Sequence, residues 1–143
     1  SSAAIIDEQK KNTQEQNNQA IEAMHRIKQS AIDTKLALLK GDIASFADIL
    51  RTAWENKKKM ATHITNPVIE QAMNVALAAG AKAGKVSGAG GGGFVMFIVD
   101  PTRKKSVEAA LKALGDGFVM PFSFSDGGAH GWKIYDTDNV KSF

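Results

Sequence analysis

A chain of 143 residues, 43% of them hydrophobic, can bury a sizeable core unaided, and with no cysteine it makes neither a disulfide scaffold nor a thiolate zinc site. Its 18 lysines and arginines against 15 aspartates and glutamates leave a formal charge of only +3. That small, scattered excess admits an anionic ligand and gives no reason to expect nucleic acid.

No apolar run approaches the roughly 20 residues that span a bilayer. The opening SSAAIIDEQK lacks the basic start and apolar core of a signal peptide. A cytoplasmic protein without membrane partners is therefore expected, forming one domain or one half of a larger enzyme.

Residues 1–65 contain no proline and one glycine. Ala20, Met24, Ile27, Ala31 and Leu38 recur at steps of four and three, interrupted at Thr34, and predict one helical face. Gly41 suits a helix C-terminus and Asp42 the N-cap of the next helix. The second stripe is Ile43, Phe46, Ala47, Leu50, Trp54 and Ala61. Two long antiparallel helices joined by a Gly-Asp turn are the simplest reading of this half.

A third helix is marked by Asn66 as N-cap, Pro67 at the first helical position and Glu70 facing the positive end of the dipole. Ile69, Ala72, Met73 and Ala76 form its stripe, and Gly80 ends it. Beyond Gly80 the pattern turns extended. Phe94–Val99, FVMFIV, reads as a strand covered on both faces, and Asp100-Pro101 breaks it. A short helix follows with Val107, Ala110, Leu111 and Leu114 on its apolar side. Phe118, Met120, Phe122 and Phe124 alternate as in an edge strand, Gly127, Gly128 and Gly131 suit a hairpin, and GWKIY (131–135) reads as a last short strand. The predicted fold class is α+β: a helical hairpin plus a small antiparallel sheet with flanking helices.

The most informative stretch is KVSGAGGGGFVMFIV. Six of the 13 glycines fall between Gly84 and Gly93, four of them consecutive. Glycine costs backbone entropy on folding, so such a run beside a strand needs a reason. Consecutive amides unobstructed by side chains can wrap an anion. A Walker A loop is excluded, because Gly80 to Gly84-Lys85 is one residue short and Val86 stands where a hydroxyl is needed. Gly88, Gly90 and Gly93 match GxGxxG, but a strand follows where a dinucleotide fold requires a helix. The protein-kinase loop is matched through Val95, yet HRD and DFG are missing. A close backbone crossing without any ligand stays open at this point.

Lys85-Val86-Ser87-Gly88-Ala89-Gly90-Gly91-Gly92-Gly93-Phe94 resembles the third signature motif of the GHMP kinases, a superfamily that includes galactokinase and the homoserine, mevalonate and phosphomevalonate kinases. NPVIEQAMNVALAAGAKAGK before the loop and the strand after it are similar to that family's C-terminal domain, which is ferredoxin-like. The helical opening and the ending PFSFSDGGAHGWKIY resemble the sugar-kinase branch acting on D-glycero-D-manno-heptose 7-phosphate.

The resemblance implies that residues 1–143 are a C-terminal kinase domain whose partner is its own N-terminal domain. In the family that domain carries a Gly-Ser loop for the ATP phosphates and the carboxylates for Mg2+, and no such segment occurs here. It further implies that Lys85, Ser87, Gly88, Ala89, Gly90, Gly91, Gly92 and Gly93 line the cleft near a small sugar-phosphate acceptor. No catalytic or metal-binding residue is expected in this chain, which alone should be inactive. Acceptors such as fucose, galactose or a mevalonate-type alcohol, and a non-catalytic ligand-binding role, stay open beside the heptose reading.

Of the remaining polar residues, Lys57, Lys58 and Lys59 read as a solvated surface, and Trp54 as core. His25, His63 and His130 are too dispersed for a metal site. Arg51 and Lys58 would reach a sugar phosphate only if their helices border the cleft. A valine at Gly91 in the full-length enzyme is expected to cause a large loss of turnover with a near-normal fold.

Overall fold

The structure, a computed structural model, describes residues 2–15 and 17–131. Helices α1 (Ser2–Gln14), α2 (Asn18–Leu39), α3 (Ile43–Lys58) and α4 (Pro67–Ala79) precede two strands, β1 (Ala81–Val86) and β2 (Val95–Val99), and helix α5 (Lys104–Ala113) follows. Single 3-10 turns at Thr62–Ile64 and Pro101–Arg103 lead into α4 and α5. The α+β class expected from the sequence holds.

The first 65 residues make three helices, not two. Asn17 divides the first, its side chain accepting from the Ala20 amide at 3.2 Å as an N-cap. The paired asparagines at 17 and 18 were the available cue. At the next junction Asp42 accepts from the Ser45 amide at 3.0 Å, and Asn66 accepts from that of Ile69 at 3.0 Å. Gly80 closes α4 in the left-handed conformation. These caps follow the sequence reading.

The buried face of α2 also differs from the expected stripe. Ala20, Ala23 and Ala37 are buried, with Ile27, Ser30 and Thr34 half-buried between them, whereas Leu38 is 50% exposed and Ala31 is on the surface. Thr34, read as an interruption, belongs to the true face. The reason is steric: small side chains let α3 approach α2 closely, and the bulky Ile32, Leu36 and Leu39 are left outside.

Strands β1 and β2 pair antiparallel, with Gly84 opposite Phe97, Lys85 opposite Met96 and Val86 opposite Val95. The β1 strand was visible in the sequence only as a change to extended pattern. Both faces of β2 pack, each only in part. Met96 and Ile98 join Ala47 and Leu50 of α3 and Ala83 of β1, while Val99 and Phe97 meet Ala76 of α4 and Val107 of α5. A third cluster joins Ile5, Trp54, Ala61, Ile64, Ile69, Met73 and Val86, so Trp54 is core as expected. Ile43, assigned to the α3 stripe, is 50% exposed.

Residues 118–124 form no strand. Phe118, Met120, Phe122 and Phe124 are all exposed, and the segment pairs with neither free edge of the two-stranded sheet; the Phe118 ring meets that of Phe94 edge to face at 6.2 Å. Alternation gives a segment strand character but cannot supply the neighbour that makes it a strand. The hairpin expected at Gly127, Gly128 and Gly131 and the strand GWKIY depend on residues beyond 131, which lie outside the described residues.

The register of α2 is directly testable. Ala23→Leu is expected to lower the unfolding free energy by about 1–3 kcal/mol through overpacking, and Leu38→Ala by less than about 1 kcal/mol, in urea denaturation. The reverse order would restore the register read from the sequence.

Candidate functional site

The glycine-rich segment is the loop of the β1–β2 hairpin. The Ser87 amide donates to the Phe94 carbonyl at 2.8 Å and closes it. Within it the glycines divide into two groups. Gly90 is buried, and a Cβ built there would lie 2.6 Å from the Ile64 carbonyl oxygen and 2.9 Å from its Cα. Its φ of 119° is one that other residues rarely adopt. At Gly91 a Cβ would meet Ile5 Cδ1 at 2.8 Å and the His63 carbonyl oxygen at 3.0 Å. Its amide donates to the Ile64 carbonyl at 2.7 Å. Gly90 is required by backbone lying against backbone, whereas at Gly91 the nearest atom is a side-chain end, with the His63 carbonyl just beyond it. Around Gly88, Gly92 and Gly93 there is open space, and their amides find no acceptor among the described residues.

Three elements hold the loop from behind. Asn66 donates from its side-chain amide to the Gly91 carbonyl at 3.0 Å, so the N-cap of α4 is also a loop anchor. Lys57, in the last turn of α3, donates to the Gly88 carbonyl. The turn at Thr62–Ile64 is fixed in turn by Glu8 of α1. That carboxylate accepts from the Thr62 hydroxyl at 2.7 Å and amide at 2.9 Å, with His63 Nδ1 at 3.6 Å. The two Thr62 bonds, hydroxyl first, hold the Glu8 carboxyl below the usual carboxylate range.

The charge beside the loop is positive. Burial lowers the Lys57 ammonium below the ordinary lysine range, and repulsion from Lys85 lowers it further. Lys57, Lys58 and Lys59 therefore do not share one solvated fate. Lys58 pairs with Glu55 at 2.9 Å and Glu70 at 3.4 Å, Lys59 is exposed, and Lys57 turns to the loop. Arg51 pairs with Asp48 at 2.7 Å and borders, with Glu55, Glu70 and Asn74, a groove between α3 and α4 that reaches only Gly84 of the glycine-rich segment. His63 stands on the surface, as expected.

Of the residues singled out in the sequence, Lys85, Ser87 and Gly88 through Gly93 lie together on one hairpin, with Ser87, Gly88, Gly92 and Gly93 exposed and Ala89 and Lys85 half-buried. Sequence reasoning missed Lys57, Ile64 and Asn66 as the loop's neighbours. Among the described residues no group of three or more His, Asp or Glu side chains could hold a metal ion.

Comparison with known proteins gives the family and the fold. A family model for the C-terminal part of the GHMP kinases matches residues 34–117. The D-glycero-alpha-D-manno-heptose 7-phosphate kinase of Campylobacter jejuni is 43% identical over 115 residues, covering 80% of this chain and 34% of that protein. The fold is similar to that of Leishmania major mevalonate kinase, crystallised with R-mevalonate. The TM-score is 0.70 at 21% identity, over 79% of this chain and 34% of the other. The chain thus spans about a third of the length of the relatives it matches.

Two substitutions separate the loop's roles. Gly90→Ala is expected to cost about 2–4 kcal/mol in chemical denaturation, since strained φ and a backbone collision add. Gly88→Ala, with strain alone, should cost about 1 kcal/mol. Equal costs would mean that the Ile64 contact is not what demands glycine. The same contacts correct the expectation for valine at Gly91: that change would disturb Ile5 and His63, so loss of turnover there would not isolate a role in the cleft.

Proposed function

Because this chain belongs to the GHMP kinases, we propose that it is the C-terminal domain of an ATP-dependent sugar kinase that phosphorylates the anomeric hydroxyl of D-glycero-D-manno-heptose 7-phosphate, giving the 1,7-bisphosphate. The observation that carries the acceptor is the 43% identity to a heptose 7-phosphate kinase along 80% of this chain. On this reading the chain's partner is its own N-terminal domain, and a product of this kind feeds the synthesis of nucleotide-activated heptose for bacterial surface glycans.

The chemistry suits the loop. Phosphoryl transfer needs little covalent participation from the protein; it needs the reacting groups positioned and their charge met by donors already in place. Open amides at Gly88, Gly92 and Gly93, the Ser87 hydroxyl and the Lys85 ammonium are such donors, and Gly90 and Gly91 hold them at a fixed depth. Ser87 accepts or donates a hydrogen bond at the sugar or its phosphoryl oxygen. The glycines also leave room for a neighbouring loop to approach.

ATP, when bound, supplies the phosphoryl group. The described residues offer donors for phosphate oxygens and no carboxylate cluster, so we assign Mg2+ and the nucleotide's phosphates mainly to the preceding domain. No helix among the described residues is long and apolar enough to cross a membrane. A cytoplasmic location is part of the proposal.

Turnover of the intact kinase polypeptide on a panel of sugars and sugar phosphates tests the acceptor. Heptose 7-phosphate is expected to exceed fucose, galactose and mevalonate by roughly 100-fold or more in kcat/KM, because a site built for a phosphate rejects analogues lacking it. This chain alone should show no turnover. Preference for an acceptor without a phosphate, or activity of the isolated chain, would overturn the reading.

A further inference from the structure

We infer that Lys57 and Lys85, beside the turn at Ser87–Gly88, form a subsite for a dianionic phosphate monoester, and that the group seated there is the acceptor's own phosphate rather than one of the nucleotide's. This rests on the kinase reading above, which gives the nucleotide's phosphates to the preceding domain and leaves the acceptor's to this one.

The three lysines that end α3 have three different surroundings. Lys58 is neutralised by Glu55 and Glu70 and lies 6.0 Å from the centre of the Trp54 ring. Lys59 is exposed. Lys57 is half-buried and spends one of its three N–H donors on the Gly88 carbonyl. Lys85, also half-buried, sits opposite Met96, whose side chain packs with Ala47 and Leu50 of α3; the strand alternation therefore turns Lys85 toward α3 as well. Lys57 and Lys85 thus both face the junction of α3 and the hairpin, and among the described residues neither has a carboxylate partner.

A strap holding the loop to α3 needs one donor. It does not need a second cation facing it, and two partly buried like charges without a counterion are a cost to the fold. An anion between them removes that cost. A phosphate monoester carries a charge of about −1.5 to −2 near pH 7 and three acceptor oxygens. Two remaining Lys57 protons, the Lys85 ammonium, the Ser87 hydroxyl and the open Gly88 amide are a matching donor set.

The test uses the intact kinase polypeptide with Lys57→Met, Lys85→Met and Lys57→Arg, and reads KM for the sugar phosphate, KM for ATP, and binding of inorganic phosphate by 31P NMR. Both Met variants should raise the sugar-phosphate KM at least about tenfold and weaken phosphate binding in parallel, with KM for ATP unmoved. Lys57→Arg should recover most of the loss. A rise in KM for ATP with the sugar-phosphate KM unchanged would overturn the assignment. So would equal losses in Lys57→Arg and Lys57→Met with lowered melting temperatures, which would make Lys57 a strap only. If heptose 7-phosphate is turned over but its KM ignores both Met changes, the subsite fails while the kinase reading stands. If another phosphorylated sugar is the true acceptor and its KM rises in both, the subsite stands and the heptose assignment falls.

Discussion

The Gly91 amide reaches the Ile64 carbonyl at 2.7 Å, and at Gly90 there is no room for even a methyl group between the two backbones. Ile64 is fully buried in a core cluster with Ile5, Trp54, Ile69, Met73 and Val86. The loop therefore rests directly on the hydrophobic core through a main-chain contact. Three helices converge on this place, and the fourth supports one of them. Glu8 of α1 fixes the Thr62–Ile64 turn, Lys57 of α3 and the Asn66 cap of α4 hold loop carbonyls, and α2 packs along α3.

A wall of this kind suits chemistry that depends on position. Donors aimed at a charged group are most effective when they need not reorganise as charge moves. Here the inner glycines give the loop its fixed depth, and the outer ones expose amides and leave space for another surface. One run of glycines thus divides in two: some have a neighbour already touching them, while the others, on the proposed function, leave space for the acceptor or a neighbouring loop.

Much of this was legible in the sequence, and for physical reasons. Caps such as Asp42 and Asn66 are local chemistry, written within four residues of the amide they satisfy. The hairpin loop was legible because glycine density is a strong local signal and because the motif resembles that of a known family. What escaped was what other elements decide. The face of α2 depends on how near α3 can come, which favours alanines over the larger residues an apolar stripe highlights. Residues 118–124 alternate like a strand but pair with neither described strand. Lys57 looked like one of three solvated lysines until α3 and the hairpin were placed together. Ile64 and Gly90 are 26 positions apart, and no local pattern connects them.

Amide hydrogen exchange across residues 87–94, measured on the intact kinase polypeptide with and without ATP and sugar phosphate, bears most directly on the idea of a loop anchored by its inner glycines and open at its outer ones. The Gly91 amide should be protected in both states because Ile64 already accepts its proton, while Gly88, Gly92 and Gly93 should exchange freely until the ligands are added and then slow together. Rapid exchange at Gly91, or outer amides indifferent to both ligands, would contradict it.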